Sequence, residues 1–210
     1  MKQELKNRIL SSIVILPIAF FFVAKGSIFF LCFLGALFLF TCYEWLKITK
    51  NNQKAKFIGT LCLFLSFYSA FYFRENQGLE FFLLIMLICI FTDIGGYIFG
   101  KIFMGPKLSR ISPNKTYAGM AGSFLLSIIA ASIYSEFFIE KISNITIQEF
   151  IFFLIISLIS QIGDLIISFF KRKAKLKDTG HILPGHGGLL DRLDGIVFVF
   201  LFLFFAKFII

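Results

Sequence analysis

Seven long runs of apolar residues, separated by short polar connections, constrain this chain more than any other feature of its sequence. A run of about 20 apolar residues can cross a bilayer as a helix, which satisfies its own backbone hydrogen bonds. Hydrophobic residues make up 58% of the chain, more than a water-soluble core of this length could bury. The pattern therefore predicts an all-α fold, a polytopic transmembrane helical bundle. Its spans are expected at about 9–24, 27–45, 57–73, 80–100, 117–139, 149–170 and 191–210.

The basic residues lie between these runs and indicate the orientation of the chain. Lysines and arginines occupy the N-terminus and the second, fourth and sixth connections, whereas the other connections are short and nearly neutral. Because basic connections stay on the cytoplasmic side of a membrane, we expect a cytoplasmic N-terminus and an external C-terminus. The same distribution accounts for the formal net charge of +9 without a nucleic-acid partner.

Two aspartates interrupt runs that otherwise resemble clean membrane spans. Asp93 lies in the fourth run and Asp164 in the sixth, each about two helical turns before a basic connection. A carboxylate within a span is costly and usually faces a polar cavity that binds an ion or a substrate. For each aspartate the alternative is a protonated side chain that hydrogen-bonds to a neighbouring helix. Near Asp93, the small residues Gly95, Gly96 and Gly100 predict close approach of another helix.

A further acidic pair, Asp191 and Asp194, opens the last run. Positions i and i+3 share one face of a helix, so both carboxylates can reach one ion while Arg192 points elsewhere. Carboxylate oxygens suit Mg²⁺ that also holds substrate phosphates, whereas zinc sites use Cys or His. With the two aspartates inside spans, this pair forms a candidate Mg²⁺ site.

A basic segment from Lys171 to Asp178 and a glycine-rich turn at 183–188 precede the acidic pair. Glycines let backbone N–H groups approach an anion, and lysines and arginines neutralise phosphate charge. A basic segment beside a span is, by itself, a topology signal that also binds acidic lipids. Joined to the turn and the nearby carboxylates, it predicts a site for a nucleotide and a phospholipid headgroup. His186 in the turn either hydrogen-bonds to a phosphate or packs.

The segment from Ser168 to Asp194 resembles the signature of the bacterial phosphatidate cytidylyltransferases, also called CDP-diglyceride synthases. The matching residues are Ser168, Lys171, Arg172, Lys177, Asp178, Pro184, Gly185, His186, Gly187, Gly188, Asp191, Arg192 and Asp194. Segments 93–101 and 112–119 resemble other characteristic parts of that family. The chain departs from the family at three positions, where Ala118 and Ile167 replace frequent glutamates and Gly195 replaces a frequent serine.

The resemblance implies an enzyme that condenses phosphatidic acid with CTP to give CDP-diacylglycerol and pyrophosphate. It implies a homodimer in the lipid bilayer of a bacterial inner membrane, with the active site facing the cytoplasm. We expect one membrane domain over 1–210, with N-terminal helices in 1–79 and catalytic helices and cytoplasmic loops in 80–210.

The resemblance also implies residue roles. It assigns Mg²⁺, with K⁺ beside it, to Asp164 and Asp191, and places Asp194 and Lys177 close by. The candidate metal ligands are Asp93, Asp164, Asp191 and Asp194. The catalytic candidates are Asp164, Lys177, Asp178, Asp191, Arg192 and Asp194. The substrate-binding candidates are Lys115, Ser168, Lys171, Arg172, His186, Gly187 and Gly188.

Two other classes of function are compatible with parts of this sequence. In a cation- or proton-coupled transporter, Asp93 and Asp164 would carry the coupling ion. That interpretation explains acids inside spans, but not why Gly, Lys and Asp residues crowd one cytoplasmic connection. A non-catalytic membrane scaffold would leave the acids inside the spans without a role.

Overall fold

Seven α-helices make up most of the computed structural model, which describes residues 2–109, 112, 115–139, 146–180, 182 and 187–206, with side chains from residue 13 onward. The helices are α1 (Lys2–Lys25), α2 (Ser27–Ile48), α3 (Gln53–Asn76), α4 (Leu79–Phe103), α5 (Tyr117–Phe138), α6 (Ile147–Lys173) and α7 (Leu190–Ala206). Within the described residues, α2 to α6 are the five helices long and apolar enough to cross a membrane. The predicted all-α polytopic fold is confirmed, and each predicted span overlaps one helix. That α1 and α7 also cross the membrane stays a prediction. The predicted orientation stays a prediction.

Several helices begin at polar residues just outside the apolar runs. The side chain of Asn52 accepts a hydrogen bond from the backbone N–H of Ala55 and so caps α3. Thr116 caps α5 in the same way. At the start of α6, the Thr146 backbone N–H donates to Glu149 and the Glu149 N–H donates to the Thr146 hydroxyl, a reciprocal capping box. These caps satisfy N–H groups that have no partner within a helix.

The chain forms two units, each with its own packing. The first comprises Met1–Leu79 and Phe170–Ile210, and the second comprises Glu80–Phe169. In the first unit, α3 packs against both α2 and α7, and α1 packs against α2. Aromatic pairs line these contacts, with the ring of Phe38 against Phe64 and Phe67, and the ring of Tyr68 against Phe204.

The end of α3 holds the turn between α1 and α2. The guanidinium group of Arg74 donates to the carbonyl oxygens of Val23 (2.7 Å) and Ala24 (2.9 Å) at the end of α1. Glu75 accepts a 2.8 Å hydrogen bond from the backbone N–H of Ser27, the first residue of α2. These contacts satisfy helix-terminal backbone groups with side chains from a different helix.

Glycines bring α4 and α5 into close contact in the second unit. A Cβ atom added to Gly95 would meet the backbone of Gly122 and lie 2.9 Å from the Cα of Ser123. The Ser123 hydroxyl donates to the Thr92 carbonyl (2.7 Å), and the Thr92 hydroxyl donates to Ser157 on α6 (2.8 Å). Small residues let membrane helices approach closely enough for such hydrogen bonds. The predicted close approach at these glycines is confirmed.

Gly95→Ala is expected to destabilise the protein by about 1–3 kcal/mol, because the added methyl group overpacks a backbone contact. Thermal unfolding of the purified protein in detergent measures the change. Gly35→Ala is the matched control, since a Cβ at Gly35 meets nothing within 4 Å. It should leave the melting temperature unchanged or slightly higher. Equal melting temperatures for both variants would contradict the close packing of α4 on α5.

Candidate active site

The end of α6 and the start of α7 bring a lysine and an aspartate together. The Lys171 amino group donates a 2.7 Å hydrogen bond to Oδ1 of Asp191. Both side chains are largely withdrawn from solvent, with 12% of Lys171 and 9% of Asp191 exposed. A charge-assisted bond at this burial is stronger than one between exposed ions, and loss of either partner would leave an unpaired charge.

A left-handed residue ends α6 and turns the chain back toward α7. The backbone N–H of Leu176 donates to the Lys171 carbonyl (2.9 Å), and that of Lys175 donates to the Arg172 carbonyl (3.0 Å). Lys175 has a φ of 58°, which completes the hydrogen-bond pattern of a Schellman motif. Glycine is the usual residue at this position, so the backbone here adopts a conformation that a lysine rarely takes.

The second oxygen of Asp191 accepts hydrogen bonds from the segment between α6 and α7. Thr179 donates to Oδ2 through its backbone N–H (2.8 Å), and its hydroxyl lies 3.1 Å from the same atom. The backbone N–H of Gly188 contributes a longer bond of 3.3 Å. Gly187 has a φ of 88°, a conformation that favours glycine. The Asp191 carboxylate is therefore fixed from both sides.

A second lysine–aspartate pair lies in the second unit. The Lys115 amino group forms an ion pair with Oδ2 of Asp164, and the Ser168 hydroxyl donates to Oδ1 (3.3 Å). About a quarter of each charged side chain is exposed, 26% of Lys115 and 28% of Asp164. Asp164 and Ser168 are four residues apart on α6, so they share one face of that helix.

A short extended segment positions Lys115 just before α5. The backbone N–H of Leu108 donates to the Lys115 carbonyl (2.8 Å), and the Tyr117 N–H donates to Pro106 (3.2 Å). An antiparallel bridge pairs Lys107 with Thr116. Since Thr116 also caps α5, the backbone on either side of Lys115 is tied to defined partners.

The other predicted site residues lie in varied surroundings. Asp194 is buried and its Oδ1 accepts the Gly195 backbone N–H (2.8 Å). Five other charged candidates are exposed: Arg172 in the last turn of α6, Lys177 and Asp178 after α6, Arg192 on α7 and Asp93 on α4. His186 lies outside the described residues. In the described part of the chain, no group of three or more His, Cys, Asp or Glu side chains comes together in a way that could hold a metal ion.

Comparison with known protein families identifies the family of this chain. A profile of the cytidylyltransferase family matches residues 57–210. The chain belongs to the cytidylyltransferase family. The matched range contains both lysine–aspartate pairs described above.

The chain is also similar to phosphatidate cytidylyltransferases of several bacteria, two of which match nearly its whole length. The phosphatidate cytidylyltransferase of Rickettsia conorii is 35% identical over 218 residues, which cover 98% of this chain and 92% of the relative. The phosphatidate cytidylyltransferase of Rickettsia felis is 36% identical over 218 residues, which cover 98% of this chain and 93% of the relative. That of Staphylococcus epidermidis is 42% identical over 130 residues, or 61% of this chain and 49% of the relative. The family expected from the signature is confirmed.

One buried acidic residue near Asp191 was not predicted from the sequence. Glu44 on α2 is buried and accepts hydrogen bonds from Thr179, Leu189 and Leu190, around the start of α7. It lies before the residues that match the family profile. A carboxylate inside an apolar run was the available signal, the same signal that singled out Asp93 and Asp164.

Proposed function

We propose that this chain is a membrane-embedded phosphatidate cytidylyltransferase that makes CDP-diacylglycerol and pyrophosphate from phosphatidate and CTP. The observation that carries the proposal is its similarity, over 92% of the relative's length, to the phosphatidate cytidylyltransferase of Rickettsia conorii. The two lysine–aspartate pairs supply the charged groups that such a reaction requires. Family membership favours this enzyme over the coupled transporter considered from the sequence.

The reaction joins two phosphates. An oxygen of the phosphatidate phosphate attacks the α-phosphorus of CTP, the bond from that phosphorus to the β-phosphate oxygen breaks, and pyrophosphate leaves. The attacking phosphate is anionic at neutral pH, so the step depends on charge neutralisation and in-line positioning more than on a strong base.

The residues of this chain are suited to bind and orient anions. Lys171 and Lys115 present amino groups in defined positions, each already paired with a carboxylate. Arg172, Lys177 and Arg192 are exposed, and we propose that they bind the triphosphate and the lipid phosphate. We propose that the glycine-rich turn, which includes Gly187 and Gly188, lets an anion approach the backbone closely because glycine has no side chain.

Mg²⁺, with K⁺ beside it, is the proposed cofactor, and the donor chemistry of the chain fits a hard cation. Asp164 and Asp191 offer carboxylate oxygens, and each already stabilises a lysine ammonium group at hydrogen-bonding or ion-pair distance. We propose these two residues as principal ligands, with Asp93 and Asp194 as further candidates. When bound, Mg²⁺ neutralises phosphate charge and acts as a Lewis acid toward phosphoryl oxygens.

The location of the chain follows from the chemistry of its two substrates. Phosphatidate stays in the bilayer with its phosphate at headgroup level, whereas CTP arrives from the cytosol. We propose a bacterial inner membrane with the active site toward the cytoplasm, where the positive-inside rule places the basic segment from Lys171 to Asp178. We also propose that the chain works as a homodimer.

The proposal is tested with purified protein in lipid nanodiscs, phosphatidate, labelled CTP and Mg²⁺. We expect label from the cytidine moiety to enter a lipid product, with one pyrophosphate released per product. EDTA should stop both, and excess Mg²⁺ should restore them. Omission of phosphatidate is the control. Pyrophosphate release that does not depend on phosphatidate, or no lipid product at all, would show that the assignment is wrong.

A further inference from the structure

Glu44 is a buried carboxylate that the proposed reaction leaves without a role. It lies on α2, about one turn before that helix ends at Ile48, and only 1% of it is exposed. α2 is one of the helices long and apolar enough to cross a membrane. A carboxylate in such a helix is costly unless hydrogen bonds stabilise it, so its partners indicate its purpose.

Two of these partners are backbone groups at the start of α7. The N–H of Leu189 donates to Oε1 (3.0 Å), and the N–H of Leu190 donates to Oε2 (2.8 Å). The first N–H groups of a helix have no partner within it, and they form the positive end of the helix dipole. Glu44 therefore caps α7 with a charge supplied by a different helix.

The third partner connects Glu44 to the Asp191 carboxylate. The Thr179 hydroxyl donates to Oε2 of Glu44 (2.8 Å) and lies 3.1 Å from Oδ2 of Asp191. A hydroxyl carries one proton, so the shorter contact is the donated bond. The backbone N–H of Thr179 then remains as the donor to Asp191 (2.8 Å). Thr179 is held between the two carboxylates, and its position depends on both.

Two glycines close the space around Glu44. A Cβ atom on Gly188 would lie 2.8 Å from Oε2, and a Cβ on Gly180 would meet Oε1. The Gly188 Cβ would also meet the Thr179 hydroxyl. Because neither position has room for a side chain, the Glu44 carboxylate and the segment between α6 and α7 fit together in one arrangement.

We infer that Glu44 is a positioning residue for the cytidylyl transfer, which holds Thr179 and the start of α7 so that Asp191 keeps its orientation. The inference rests on the proposed function. It does not rest on the family profile, because Glu44 lies outside the matched range 57–210. Supporting residues that orient a functional carboxylate typically affect activity about 10–100-fold when they are replaced.

Glu44→Gln tests the inference in the full-length protein. The carboxamide offers one oxygen where the carboxylate offers two, so Leu189 or the pair of Thr179 and Leu190 loses its acceptor. We expect kcat to fall about 10–100-fold. The KM for CTP should change less than kcat, because Glu44 orients Asp191 and does not touch substrate.

A matched control separates positioning from stability. Glu75→Gln also replaces a carboxylate that caps a helix start from another helix, in this case through Ser27 at the start of α2. It should keep the wild-type kcat. The single tryptophan, Trp45, packs against Phe170 at the end of α6, so its fluorescence reports on the local structure next to Glu44. For Glu44→Gln we expect unchanged emission and a kcat per folded molecule that is still reduced.

Thr179→Val provides a second route if Glu44→Gln does not fold. Valine keeps the shape and the backbone N–H that donates to Asp191, but it removes the hydroxyl that donates to Glu44. We expect a reduced kcat for this variant as well. Because both residues act through one contact, the kcat of the double variant should be no lower than that of the less active single variant. Wild-type kcat in Thr179→Val, or fully multiplicative losses in the double variant, would overturn the inference.

The assay distinguishes failure of the inference from failure of the proposed function. If the wild-type protein makes no CDP-diacylglycerol, the proposed function is wrong, and the inference falls with it. If the wild type is active and folded Glu44→Gln is equally active, only the positioning role is wrong. A loss of activity that merely follows the folded fraction also overturns that role.

Discussion

Asp191→Asn is expected to lower kcat for CDP-diacylglycerol formation by at least about 100-fold, because it removes the charge from a carboxylate at the centre of the proposed site. Asparagine keeps the shape and one acceptor oxygen, so the bonds from Thr179 and Gly188 to Oδ2 can persist. Lys171, which is 12% exposed, loses its ionic partner. Initial rates with labelled CTP and phosphatidate measure the effect.

The control for Asp191→Asn is Glu149→Gln. Glu149 is a capping carboxylate at the other end of α6, where it accepts from Thr146. This variant should insert into membranes and turn over at the wild-type rate. Near-normal turnover by Asp191→Asn, with normal folding, would remove Asp191 from the catalytic residues and with it the proposed metal assignment.

Asp164→Asn is expected to lower the same rate by about 100-fold or more, because the charge it removes pairs with Lys115 and is proposed to bind Mg²⁺. Asparagine can still accept the Ser168 hydroxyl, so the fold of α6 should be retained. The measurement is the initial rate over a range of Mg²⁺ concentrations. We expect that higher Mg²⁺ restores part of the activity, since a weaker site fills at a higher concentration.

Glu136→Gln is the matched control, since Glu136 is an exposed carboxylate on α5 in the same unit. Its rate and its Mg²⁺ dependence should equal those of the wild type. A double variant that carries both Asp164→Asn and Asp191→Asn tests whether the two carboxylates serve one step. If they do, the loss of rate in the double variant is smaller than the product of the two single losses. An Asp164→Asn enzyme with the wild-type rate and Mg²⁺ dependence would rule out Asp164 as a ligand.

Much of the fold could be predicted because membrane helices follow local rules. Each apolar run predicted one helix, since a span must satisfy its backbone hydrogen bonds within itself. The helix ends were predicted less well. α4 runs to Phe103 and α6 to Lys173, beyond the expected 100 and 170, because helix formation continues through polar residues that suit helix termini.

The candidate site was predicted in part. Signature spacing identified Lys171 and Asp191 individually, and the structure shows them as an ion pair. The structure also pairs Lys115 with Asp164, which the sequence predicts to be a substrate-binding residue and a metal ligand, respectively. The assignment of metal to Asp93, Asp164, Asp191 and Asp194 stays a prediction. Glu44 was missed because it lies far from the signature along the chain.

The sequence alone determined the membrane class, the seven helices and the family, because hydrophobic runs and motif spacing are properties of neighbouring residues. Only the tertiary structure decided the partners of the charged groups. Glu44 and Thr179 are 135 positions apart, and they meet because the first unit packs α2 and α3 beside α7. Such a contact depends on how helices pack, and side-chain packing between distant segments leaves no local pattern in the sequence.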